Sequence, residues 1–91
     1  MLATTTTVRK MAKALYGQSW GYAGTYTDKA ADGTRLVAFK VCDKQTAEKL
    51  AADLQAALTA AGYTNAVKAT RSDGDWNAYG CDYVRVRAVL G

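Results

Sequence analysis

Histidine and proline are absent from this chain, cysteine occurs twice and phenylalanine once. The lack of histidine removes the commonest general base, pH switch and metal ligand. The lack of proline leaves glycine, asparagine and aspartate to punctuate the loops. Cys42 and Cys81 fall short of the four or more cysteines that usually staple a secreted domain of this length. They read as ordinary half-buried thiols, and a Cys42–Cys81 bridge would need a Cα separation that the sequence does not specify. Two lone thiols do not make a tetrahedral metal set. No stretch approaches the roughly 18 apolar residues of a membrane span. The start, Met1-Leu2-Ala3 and four threonines, lacks the charged region and apolar run of a secretory signal. No membrane contact and a cytoplasmic residence are therefore expected.

The sequence motifs of catalysis are missing too. There is no G-x-S-x-G, no P-loop and no dinucleotide fingerprint. Gly17, Gly21 and Gly24 punctuate a strand rather than open a helix. Asp73, Asp75 and Asn77 echo the start of a calcium loop, but the glycine and the later glutamate are not at the required spacing. Asp75 and Asp82 could pair as carboxylates, with nothing to single them out. The expectation is a protein that is not an enzyme and carries no cofactor and no metal.

What remains is the composition of a folded domain: 91 residues, 49% hydrophobic and 22% charged, too short for a second core. The formal net charge is +4. Its excess lies in residues 1–45, with seven basic and three acidic side chains against five of each in 46–91. Such a balance permits contact with nucleic acid or an acidic protein surface.

Residues 1–5 look frayed. From Thr7 to Tyr16 the apolar positions Val8, Met11, Ala12, Leu15 and Tyr16 share one helical face, with Arg9, Lys10 and Lys13 off it. A preceding threonine offers an N-cap and Gly17 a stop. Residues 18–27 and 34–42 read as strands joined through Asp32-Gly33, a hairpin-turn signal. Asp43 would cap a helix over 44–61, striped by Ala47, Leu50, Ala51, Leu54, Ala57, Leu58 and Ala61 and closed by Gly62. Strands over 64–71 and 81–90 flank a Gly-rich loop from Ser72 to Gly80. The order α-β-β-α-β-β predicts an α+β domain, with a four-stranded, mainly antiparallel sheet packed against two helices.

Alternation assigns faces. Val84, Val86, Ala88 and Leu90 belong in the core, which turns Tyr83, Arg85 and Arg87 outward. Val67 and Ala69 face inward, leaving Lys68 and Thr70 outside. Trp20, Tyr22 and Tyr26 share one face of the first strand and suggest a stacking platform. A two- or four-residue turn at Asp32-Gly33 would instead put Tyr26 with Val37, Phe39 and Val41, in the core. A one-residue slip would reverse that.

The outward set is then Lys40, Lys68, Tyr83, Arg85 and Arg87, joined by Trp76 and Tyr79 from the 72–80 loop. These residue types dominate interfaces and also suit phosphate contact and base stacking. A solvated sheet face is the plain alternative. Two kinds of partner fit. One is nucleic acid, slightly favoured by the basic balance and the Arg-x-Arg. The other is a protein, bound by an inhibitor or adaptor of the kind mobile elements use against host defence; the analogy to anti-CRISPR proteins is one of size and style alone. A homodimer through an edge strand, with 83–87 pairing with its copy, is a third expectation.

Overall fold

The computed structural model describes residues 1–16, 25–41, 44–72 and 81–91. Along the chain these form α1 (Thr5–Tyr16), β1 (Thr25–Lys29), β2 (Thr34–Val41), α2 (Lys44–Ala60), β3 (Val67–Ser72) and β4 (Cys81–Val89). The protein is α+β, with two helices packed on an antiparallel sheet. Strands β2, β4 and β3 make the part of the sheet that carries the helices, with β4 between the other two. Strand β1 pairs antiparallel with the remaining edge of β2, giving the order β1-β2-β4-β3. Trp20, Tyr22, Cys42, Asp43, Asp73, Asp75, Trp76, Asn77 and Tyr79 lie outside the described residues, as do Gly17, Gly21 and Gly24. The Cys42–Cys81 question lies there with them.

Both helices pack on the same side of the sheet, against Val37, Phe39 and Val41 of β2 and Val84, Val86 and Ala88 of β4. Helix α2 contributes Ala47, Leu50, Ala51, Leu54 and Leu58, all buried, and α1 contributes Val8 and Ala12. These follow the helical periodicity of the sequence. Leu15, on the same expected stripe, is exposed, as is Leu90. The reason at Leu90 is topological: β2 ends at Thr34, whose partner is Val89, so no strand continues beside Leu90. Ala69 is also exposed despite its inward register, because it lies on an outer strand along a cleft of about 150 Å³ beside the first turn of α2.

The first residues are ordered, contrary to the expectation of fraying. Ala3 is buried, and Thr4 bridges in parallel to Val89. Thr4 is the N-cap of α1: its hydroxyl accepts the Thr7 backbone N–H at 3.2 Å and donates to the Thr7 hydroxyl at 3.1 Å. Chain segments 62 residues apart meet at Asn65, which is 1% exposed. Its side-chain oxygen accepts the Ala3 N–H at 2.7 Å, and its amide donates to the carbonyls of Ala3 at 3.4 Å and Arg87 at 2.9 Å. Gln55 of α2 clamps the same stretch, accepting the Val67 N–H and donating to the Asn65 carbonyl, both at 2.9 Å. Opposite the loss of chain entropy, these bonds hold the N-terminus against the sheet end.

Helix α2 stops in a Schellman turn. Gly62 adopts φ +88°, and the Tyr63 N–H reaches the Leu58 carbonyl at 2.9 Å while Gly62 reaches Thr59 at 3.0 Å. A glycine tolerates that left-handed backbone without the penalty of a Cβ.

The β1–β2 turn differs from the expected one, and the difference matters for the face. Ala30 and Thr34 close the hairpin by the Ala30 N–H to Thr34 carbonyl bond at 2.9 Å, so the loop holds three residues, Ala31, Asp32 and Gly33. Gly33 takes φ +86°, the left-handed end of a three-residue turn. An odd loop length pairs like parities: Thr25 with Phe39, Tyr26 with Ala38 and Thr27 with Val37. Tyr26 therefore does not share a register face with Val37, Phe39 and Val41. The period of two makes this single extra residue sufficient to reverse the assignment.

Candidate functional site

The side of the sheet away from the helices gathers the sequence-predicted set by register alone. Lys40 pairs with Tyr83, Ala38 with Arg85 and Leu36 with Arg87 across β2 and β4. Across β4 and β3, Tyr83 pairs with Thr70 and Arg85 with Lys68. Residues directly opposite in an antiparallel pair share a face. Lys40, Lys68, Tyr83, Arg85 and Arg87 are thus brought together on one surface. Tyr26 holds a register position on the same side, opposite Ala38. Lys68 is exposed, and the other four are half-buried.

Strand β4 is an interior strand, so 83–87 cannot pair with a copy of itself. The outer strands are β1 and β3. The order of two hairpins in a sheet is a relation between segments, which neither hairpin's own pattern carries.

At the middle of the surface the Arg85 guanidinium carbon lies 5.2 Å from the centre of the Tyr83 ring, a cation–π contact between residues two apart on one strand. Ala38 beside it is fully buried on that side. The long aliphatic stem of an arginine covers such apolar surface while its charged head reaches outward. Arg85 Nε is enclosed without a hydrogen-bond partner among the described residues, and so is Thr70 Oγ1 on the neighbouring strand. An unmet buried donor costs about 1–3 kcal/mol. Two such atoms within one patch, next to four cations, mark it as a surface with hydrogen-bonding capacity that the fold itself does not use. Alternation already turns Thr70 outward, though it was not counted in the binding set; its place opposite Tyr83 comes from the pairing of β3 with β4.

The surroundings set the electrostatics. Asp82 is buried on the helix side, while Glu48 and Asp53 are on α2 and engaged with Lys44 at 3.9 Å and Lys49 at 2.8 Å. Asp28 holds an open-side register position on β1, opposite Leu36. Asp32, in the turn, accepts both the Thr34 hydroxyl at 2.7 Å and the Thr34 N–H at 3.0 Å. The hydroxyl first, then the N–H, and more weakly the charge of Arg87, hold its carboxyl below the ordinary 3.8 against a small opposing effect of desolvation. Among the described residues no three cysteine, aspartate or glutamate side chains converge as a metal would require, and no helix is long and apolar enough to cross a membrane.

No protein-family model, no curated protein and no solved structure matches this chain.

Proposed function

We propose that the open face of the sheet binds nucleic acid, with Lys40, Lys68, Arg85 and Arg87 contacting phosphates and Tyr83 lying against a base. The observation that carries this reading is the gathering of four cations on the open face. Lys40, Lys68, Arg85 and Arg87 share that face by register, and among the described residues Asp28 is the acid that register places on it. Phosphate contacts fix a protein on nucleic acid, and arginine beside an aromatic ring serves both the phosphate and the base. A net charge of +4 favours approach to a polyanion, and phosphate contacts make such binding salt-sensitive. A cytoplasmic setting would give such a module access to its ligand.

The test is fluorescence anisotropy with labelled oligonucleotides over a range of salt. Neutralising four phosphates gives a log–log slope of about −3, or a loss of about fifty-fold between 50 and 200 mM salt. Arg85→Gln with Arg87→Gln keeps polar side chains with part of the aliphatic stem and removes two charges. That variant should bind at least tenfold more weakly and show a slope shallower by about 1.5. An affinity indifferent to salt would sink the reading. So would capture of one stoichiometric protein from lysate in a complex that nuclease leaves intact, since the same surface would then serve a protein partner.

A further inference from the structure

We infer that the ligand of this face is an unpaired strand, its bases laid on the Tyr83–Arg85 stack, and not a duplex. The inference rests on the nucleic-acid reading above and narrows it. Its first support is width. Strands in a sheet lie about 4.8 Å apart, so the order β1-β2-β4-β3 spans about 14 Å between outer backbones before any side chain is counted. The major groove of a duplex is about 12 Å wide and the minor groove about 6 Å. Two-stranded ribbons and single helices enter the major groove of an undeformed duplex; a sheet of this width presented face-on requires the groove to be opened and the duplex bent, at the cost of unstacking base steps. An unpaired strand meets the centre of the surface without that cost.

The centre is where the unused chemistry lies. Tyr83 and Arg85 already stack at 5.2 Å. Bases stack equally on aromatic rings and on guanidinium planes, provided they are not already paired and stacked in a helix. Around that stack sit the two enclosed polar atoms without partners, Arg85 Nε and Thr70 Oγ1. Thr70 is directly opposite Tyr83, and Lys68 directly opposite Arg85. An unpaired base exposes its hydrogen-bonding edge, and a shift of Arg85 to receive it opens both atoms to that edge. The cations border this patch on both sides: Lys40 on β2 and Lys68 on β3. A backbone following either border keeps its phosphates near a cation while its bases point to the centre.

The experiment compares three labelled probes of one sequence and length, about 12 nucleotides, at one salt concentration: single-stranded DNA, single-stranded RNA and the DNA duplex. Either single strand should bind at least tenfold tighter than the duplex, and a difference between the two strands would report contact with the 2′-hydroxyl. Tyr83→Ala should lose about tenfold on the strand and far less on the duplex, whose bases are already stacked. Tyr83→Phe keeps the ring and should bind the strand as the parent does, which separates loss of stacking from loss of fold. Lys68→Ala should weaken both forms alike. Duplex binding equal to or tighter than strand binding overturns the inference while leaving the broader nucleic-acid reading standing, as does a well-folded Tyr83→Ala with parental strand affinity. Salt-dependent binding to neither form overturns both.

Discussion

Asn65 ties the N-terminus to strand β4 through its own side chain. Its carboxamide substitutes for a peptide unit, accepting from Ala3 and donating to Ala3 and Arg87 in a site closed to water. Nothing in the local sequence Thr64-Asn65-Ala66 distinguishes it from a turn residue, since its partners lie 62 and 22 positions away. Asn65→Ala leaves the Ala3 N–H and the Arg87 carbonyl without their partners, and each unmet buried group costs about 1–3 kcal/mol. Urea denaturation should show a loss of about 2–4 kcal/mol with an unchanged slope. A loss under about 0.5 kcal/mol would mean that water reaches the vacated site and that the amide is dispensable. By contrast, the outward residues Tyr83, Arg85 and Arg87 were readable from alternation, because their neighbours Val84, Val86 and Ala88 leave them only one side of the strand.

Among the elements, α2 was the most legible. Its buried stripe runs from Ala47 to Leu58, about three turns, and Gly62 at its end takes the φ +88° that the Schellman turn needs. A Cβ added at Gly62 would meet nothing within 4 Å, so the cost of Gly62→Ala is conformational alone. It should be about 1 kcal/mol, with Gly62→Asn costing less because asparagine enters the left-handed region more readily. Thermal unfolding of the two variants measures the difference, and an alanine variant equal to the parent would show that the turn relaxes without penalty. The β1–β2 hairpin shows the limit of this kind of reading. Asp32-Gly33 marked the turn correctly, yet the turn's length decided the face, and two, three and four residues are all compatible with that dipeptide. The hairpin closes with three, and Tyr26 consequently pairs with Ala38.

At the scale of the whole molecule, the ends of the chain complete the sheet and the helix start together. Thr4 caps α1 and bridges to Val89, the Val89 N–H reaches the Ala3 carbonyl at 3.2 Å, and the Gly91 carbonyl accepts the Thr6 N–H at 3.1 Å and the Thr5 hydroxyl at 2.9 Å. Removal of residues 1–4 takes away the cap and the acceptor and donor of Ala3, about 2–4 kcal/mol in all. The thermal midpoint should fall by about 10–20 °C, and an unchanged midpoint would restore the frayed terminus that the sequence suggests. Four threonines after a Met-Leu-Ala start carry no periodicity; the Thr4–Thr7 cap and the partners at Val89 and Gly91 order them together.

The α+β class, the buried stripe of α2 and the outward turn of Tyr83, Arg85 and Arg87 are determined by the sequence itself, because periodicities of 3.6 and 2 are properties of a backbone with one side toward water. Which strands adjoin, whether Tyr26 sides with the core and what Asn65 holds were decided only by tertiary structure. Strand order and register are relations between segments, and their energies reside in contacts that no single segment contains.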